Sequence, residues 1–182
     1  MAPPSLPQIP EELWRLMAQI GPVWGRDTRG HIKLMIERFS EILRDSPRDY
    51  AEVRRDIAYG DHERQRFEVF IPNVKARDAH ISNISGKRPA LVFVHGGAFT
   101  EGSRNRTTEI YSNVLHYFAR FGVLGVNAGY RLAPEFKYPS ATRDIASAVN
   151  WVRSHADEFS RYQQDISDGA FCRRCTCSQL RL

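Results

Sequence analysis

An apolar run, Ala90-Leu91-Val92-Phe93-Val94, leads directly into His95, Gly96, Gly97, Ala98 and Phe99. Two glycines after a buried strand permit backbone conformations and close approaches that a side chain would block. Backbone N–H groups in such a loop can point at one spot and hold the oxyanion of an acyl-transfer intermediate. A plain Gly-Gly turn uses the same residues, so the loop alone leaves both readings open. A second group with possible chemistry is Cys172-x-x-Cys175-x-Cys177. It offers a soft metal three sulfur ligands and no fourth at finger spacing, so no metal site is expected.

Further along stand Tyr130-Arg131-Leu132-Ala133-Pro134-Glu135, then Tyr138-Pro139, then Asp144 with Ala148 and Trp151. In order and spacing this resembles the Y-R-L-A-P-E…P…D…A…W pattern of α/β-hydrolases in the esterase/lipase branch, hormone-sensitive-lipase-like or BD-FAE-like. The likeness runs from Tyr59 to Phe159. It implies that the H-G-G-x loop forms an oxyanion hole, with the amides of Gly97 and Ala98 as donors. Gly96 would then allow the turn, and His95 would brace the loop without acting as the base. Arg131, Glu135 and Asp144 are expected as scaffold ion pairs and caps. The implied substrate is a small-molecule ester, and no cofactor is required.

The same resemblance implies a triad in the order Ser, Asp or Glu, His, with the serine on an elbow after the strand following the Asp144 helix. That strand should begin just after Phe159. No G-x-S-x-G occurs in the 182 residues, and no histidine lies beyond His155. Ser167 precedes Asp168-Gly169 but has no glycine before it at elbow spacing. Nucleophile, acid and base are therefore absent, and the chain as written is expected to be inactive. Back-translation suggests why. With permitted wobble bases, Arg161–Thr176 read one nucleotide out of frame becomes G-I-S-K-I-F-L-M-G-H-S-A-G-A-A-H, a buried strand running into an elbow. The expectation is a frameshift near codon 160, with the serine codon straddling Phe171 and Cys172. On this reading the three cysteines are by-products of the wrong frame.

The elements around the loop follow from periodicity. Leu13, Met17 and Ile20 mark one helix; Ile32, Met35, Ile36, Phe39 and Leu43 mark an amphipathic second, closed by Ser46-Pro47. They are read as core-covering, and the family resemblance adds a cap over the active-site mouth. Val53–Tyr59 and Phe67–Ile71 alternate as a hairpin around Gly60-Asp61, and 72–88 reads as loop. Ala90–Val94 and Val123–Asn127 read as buried strands, with helices over 107–121 and 140–159. Strand, helix, strand, helix argues for an α/β sheet. The expected fold is an incomplete α/β-hydrolase: a mostly parallel sheet flanked by helices, with N-terminal cap helices. Its divisions are 1–50 for the extension and cap-like helices, 51–160 for the first half of the hydrolase domain, and 161–182 for the aberrant tail.

At 42% hydrophobic, the chain can bury one ordinary core. Its net charge of +5 comes from interspersed signs, without the same-sign stripe that nucleic acid would require. No apolar run approaches the roughly 18 residues of a membrane span. The opening residues lack the charged and apolar regions of a secretory signal, so the expected location is cytoplasmic. Two functional classes remain open. One is a serine carboxylic-ester hydrolase, with a formamidase-like amide hydrolase as close variant; the other is a non-catalytic pseudo-hydrolase fragment.

Overall fold

The computed structural model describes residues 9–73 and 89–159. Helix α1 (Glu11–Ile20) runs through a 3-10 segment (Gly21–Arg26) into α2 (Thr28–Arg44). The Asp27 carboxylate caps α2 by accepting from the Gly30 amide at 2.9 Å, satisfying a donor that the first turn leaves without an intrahelical partner. Strands β1 (Ala51–Ala58) and β2 (Arg66–Pro72) follow, then β3 (Ala90–Val94), α3 (Ser112–Ala119), β4 (Leu124–Ala128), α4 (Ser140–Ser154) and the single turn α5 (Ala156–Phe159).

The described sheet has the order β1-β2-β4-β3. Pairs β1/β2 and β2/β4 are antiparallel, and β3/β4 is parallel. The expectation of a mostly parallel sheet is therefore corrected for the described strands, where a hairpin supplies half the sheet. Parallel pairing comes only where a helical crossover, α3, joins two strands. In the β3/β4 register Val94 lies beside Ala128. The loops beginning at His95 and Gly129 thus leave the same end of the sheet side by side.

Strand alternation divides the core between two faces. Phe67, Val69 and Ile71 of β2 join Val92, Val126, Ile145, Ala148 and Val152 on the α4 face. Phe70 joins Leu91, Leu115 and Val123 on the α3 face. The central strand β4 is buried along its whole length, as a strand covered on both sides must be. Helix α3 approaches that strand closely because position 125 is glycine. A Cβ there would lie 3.0 Å from the Leu115 Cβ and 3.2 Å from the Phe70 Cβ. Gly125→Val is expected to destabilise the fold by about 1–3 kcal/mol through overpacking, read as a lower urea midpoint.

Two helices are shorter than periodicity suggested. The chain does not turn helical at Thr107, because the Thr107 hydroxyl accepts from the amides of Glu109 and Ile110 at 3.2 and 3.0 Å. A threonine side chain that captures nearby amides offers the backbone an alternative to helix. Over 140–159 the helix breaks at His155, and its last residues form a separate turn. The N-terminal helices also depart from expectation. Leu13 is buried, but Ile32, Met35, Ile36, Phe39 and Leu43 are only partly covered. Helices α3 and α4 already occupy the two sheet faces. Among the contacts joining α2 and its following turn to the body are Ser40 Oγ to Thr107 Oγ1 at 3.1 Å and Arg48 to Glu109 at 3.5 Å.

Candidate active site

His95 ends β3 with its ring buried and stacked on Tyr130, centroids 4.3 Å apart. Its Nδ1 lies 2.8 Å from the Gly96 carbonyl. A carbonyl only accepts, so Nδ1 carries the hydrogen of the neutral ring. Burial is the main force holding the His95 pKa below the ordinary histidine value; the Arg64, Arg106 and Arg104 charges add to it, against the Gly96 carbonyl. The Tyr130 hydroxyl donates to the His95 carbonyl at 2.8 Å. His95 therefore sits inside the scaffold with Nδ1 committed to its own loop and Nε2 buried without a hydrogen-bond partner among the described residues.

The loop turns at Gly97, where φ is +127°. The Gly97 carbonyl accepts from the amides of Thr100 and Glu101, both at 3.0 Å. A Cβ on Gly97 would stand 1.9 Å from the Glu101 carbonyl oxygen, closer than any real contact. Gly96 was expected to allow the turn, and this is corrected: it keeps an ordinary φ, and nothing lies within 4 Å of a Cβ built there. The conformational demand falls on Gly97 and on Gly102, which has φ +98°. Ala98 and Phe99 also have positive φ, 52° and 62°, a conformation costing roughly 1–2 kcal/mol for each residue with a side chain. Among the described residues, the amides of Gly97 and Ala98 donate to no acceptor. Gly97 is partly exposed and Ala98 exposed.

Neighbouring elements hold this strained loop in place. Arg64, in the β1–β2 turn, donates through Nε to the Tyr130 carbonyl at 3.0 Å and through Nη2 to the Gly102 carbonyl at 2.5 Å. One guanidinium thus ties the loop after β3 to the loop after β4. The Ala133 amide donates to the Phe99 carbonyl at 2.8 Å, and the Tyr59 hydroxyl donates to the Gly129 carbonyl at 2.6 Å. Burial first, then the Asp144 charge, raises the Tyr59 pKa far above the ordinary tyrosine value, so the phenol stays protonated. Sequence reasoning missed Arg64, Gln65 and Tyr59 as site supports. They lie on or beside a polar turn with no periodicity, and only the antiparallel return of β2 against β4 carries that turn to the site.

Asp144 on α4 anchors the other loop. It accepts from the Arg131 amide at 3.0 Å, from Arg131 Nε at 2.9 Å and Nη2 at 2.7 Å, and from Gln65 Nε2 at 2.7 Å. Burial alone would raise its pKa, but the bonds from Arg131 and Gln65 outweigh burial and hold it below the usual carboxylate value. Both oxygens are engaged, so Asp144 and Arg131 form the expected scaffold pair. Glu135 does not: it is exposed and has no ion-pair partner among the described residues, because the Pro134 turn carries it outward.

Because the folded-state pKa of Asp144 is depressed, its stabilisation is present above the unfolded carboxylate value of about 3.9. It is lost as pH falls through the lower folded value. Asp144→Ala is expected to cost roughly 3–5 kcal/mol at pH 7, since it strands the guanidinium. The deficit should shrink as acid protonates the native carboxyl, which urea midpoints at pH 7 and pH 3 will check.

Residues 80–167 match the family model BD-FAE. The chain is 31% identical over 115 residues to probable carboxylesterase 3 of Arabidopsis thaliana, covering 63% of this chain and 35% of that protein. The described chain also superposes on the crystal structure of esterase B from Lactobacillus rhamnosis with a TM-score of 0.52 at 18% identity, covering 82% of this chain and 42% of that one. Over the matched part, this chain is similar to the esterase-like α/β-hydrolases. It spans about a third of the length of the carboxylesterase it matches. The chain is also 42% identical over 67 residues to the gibberellin receptor GID1B of Arabidopsis thaliana, covering 36% of this chain and 18% of the receptor. No described helix is long and apolar enough to cross a membrane. The tail expected to be aberrant, with its cysteines and Ser167, lies outside the described residues, as does most of the loop expected over 72–88.

Proposed function

We propose that this chain carries the oxyanion-binding half of a serine carboxylic-ester hydrolase. The observation that supports this best is the pair of Gly97 and Ala98 amides, which have no acceptor among the described residues. They sit on a loop at the carboxyl end of a parallel strand, where such folds bind ligands. In the reaction these amides receive the oxyanion formed when an elbow serine attacks the ester carbonyl. His95 and Gly96 support that loop, and His95 is not the base. The base is a histidine following the elbow, which takes the serine proton and returns it to the leaving alcohol.

The 182 residues as written hold no elbow serine, and two oxyanion donors alone run no covalent cycle. Read in the frame expected beyond codon 160, the gene would restore G-H-S-A-G and encode a longer product, the in-frame protein. A serine-directed phosphonate ester is expected to add covalently, one per chain, to the elbow serine of the in-frame protein and to leave the 182-residue chain unmodified. An in-frame protein that hydrolyses no carboxylic ester and takes no phosphonate would sink this reading. A second reading, a non-catalytic ligand-binding fragment, draws support from the receptor among the relatives. It would gain from a soluble, monodisperse 182-residue chain that binds an ester without turning it over.

A further inference from the structure

Glu68 stands where strand alternation calls for an apolar side chain. It shares the α3 face of β2 with Phe70, whose cluster there includes Leu91, Leu115 and Val123. The Glu68 side chain is only 2% exposed. Its Oε1 accepts from Arg55 Nη1 at 3.1 Å and from Asn105 Nδ2 at 2.9 Å. Its Oε2 has no hydrogen-bond partner among the described residues. Burying a carboxylate with one oxygen unsatisfied is unfavourable. The attraction of Arg55 offsets little of this, because that side chain is 53% exposed and screened by water. Fold stability therefore gives no reason for a carboxylate at this position.

Glu68 does hold the segment that leaves the oxyanion loop. Asn127 stands opposite it in the β2/β4 register and is fully buried. Asn127 Nδ2 donates to Asn105 Oδ1 at 3.2 Å and to the Arg104 carbonyl at 2.9 Å. The Asn105 side-chain amide is thus gripped at both ends, its NH2 by Glu68 and its oxygen by Asn127. Asn105 itself is exposed, so without these bonds its side chain would turn to water. Just before this segment comes Gly102, at φ +98°. It packs so closely on the Gly96 carbonyl that a Cβ would lie 2.6 Å from that oxygen. A shift of residues 103–106 therefore presses on the loop that carries the Gly97 and Ala98 amides.

We infer that Glu68 is a positioning residue: through Asn105, and together with Asn127, it fastens residues 103–106 and so holds the loop at 95–102, without stabilising the fold. The kinetic consequence rests on the ester-hydrolase reading. The restraint on the loop does not.

The test compares Glu68→Met, of similar length but without the oxygens, with Glu68→Gln, which keeps an acceptor, and with Asn105→Ala. In the 182-residue chain, hydrogen exchange is followed at the Glu101 and Arg106 amides, which donate to the Gly97 and Ile110 carbonyls, and along β4. Glu68→Met and Asn105→Ala are expected to speed exchange at Glu101 and Arg106 by about fivefold or more. Exchange along β4 should be no faster, and the urea midpoint of Glu68→Met should equal or exceed that of the parent. In the in-frame protein both variants should lower kcat about tenfold, with KM changed by less than about threefold. Glu68→Gln should match the parent in every readout.

Parent exchange rates at Glu101 and Arg106 in a folded Glu68→Met or Asn105→Ala would overturn the inference. A lower midpoint with faster β4 exchange in Glu68→Met would do so too, since that marks a structural role. So would a Glu68→Gln that behaves as Glu68→Met, or an active in-frame protein whose kcat neither variant lowers. An in-frame protein that hydrolyses no ester removes the hydrolase reading instead, and the exchange rates then decide this inference by themselves.

Discussion

Gly97→Ala is expected to lower kcat for ester hydrolysis by the in-frame protein about 10²–10³-fold. The added Cβ would lie 1.9 Å from the Glu101 carbonyl oxygen and would occupy a backbone at φ +127°. Neither conflict can be relieved by rotating a side chain, so the 97–101 turn must open. Opening it redirects the Gly97 and Ala98 amides, and loss of one oxyanion donor alone is worth that range in kcat. Gly96→Ala is the matched control. Its Cβ meets nothing within 4 Å, and its stability should stay within about 0.5 kcal/mol of the parent. Urea midpoints and steady-state kinetics on both variants check the pair. Equal kcat values for Gly97→Ala and the parent would separate the loop from the chemistry.

The second large effect is expected at Arg64, which touches no reacting group. Its guanidinium joins the Gly102 and Tyr130 carbonyls, and Tyr130 in turn holds the His95 carbonyl. Arg64→Met keeps much of the stem and removes the fork. The Ala98 and Phe99 backbone, strained at positive φ, then has fewer restraints. Misplacement of catalytic groups by about 1 Å costs on the order of 10²-fold, so kcat should fall 10–100-fold. KM should move by less than about threefold, because the interaction lost is one made with the transition state. Arg64→Lys should recover little, since a single ammonium cannot span two carbonyls as a planar fork does. A KM rise at constant kcat would instead mark Arg64 as a substrate-binding residue.

How much of this was legible before the fold follows from what each residue needs. Ala90–Val94 announced itself because a strand buried on both faces is almost wholly apolar, and β4 did so for the same reason, its one polar side chain, Asn127, being buried with its amide donating to the Arg104 carbonyl. Gly97 was legible as half of a Gly-Gly pair, but spacing could not say which glycine bears the positive φ; the carbonyl of Glu101 decides that. Asp144 and Arg131 were readable as a pair through the motif they share. Glu135 belongs to the same motif and faces outward, because a motif fixes order in the chain and not direction in space. The Thr107 turn escaped because a threonine in an apolar-periodic stretch looks helical until its hydroxyl finds the Glu109 and Ile110 amides. Arg64 and Tyr59 act across 38 to 70 residues of sequence, and no local pattern encodes a bond that long.

The proposed hydrolase needs a serine opposite the loop at residues 95–102, and the frameshift expected near codon 160 would supply it. The nucleotide sequence of the gene from codon 155 to well past codon 182 tests this most directly. The expected result is a continuous shifted frame that reads G-H-S-A-G over codons 169–174, its serine straddling codons 171 and 172, and goes on to an aspartate or glutamate and then a histidine. Bases that confirm Cys172–Leu182 and cannot be read as the elbow would contradict it, and the non-catalytic reading would stand in its place.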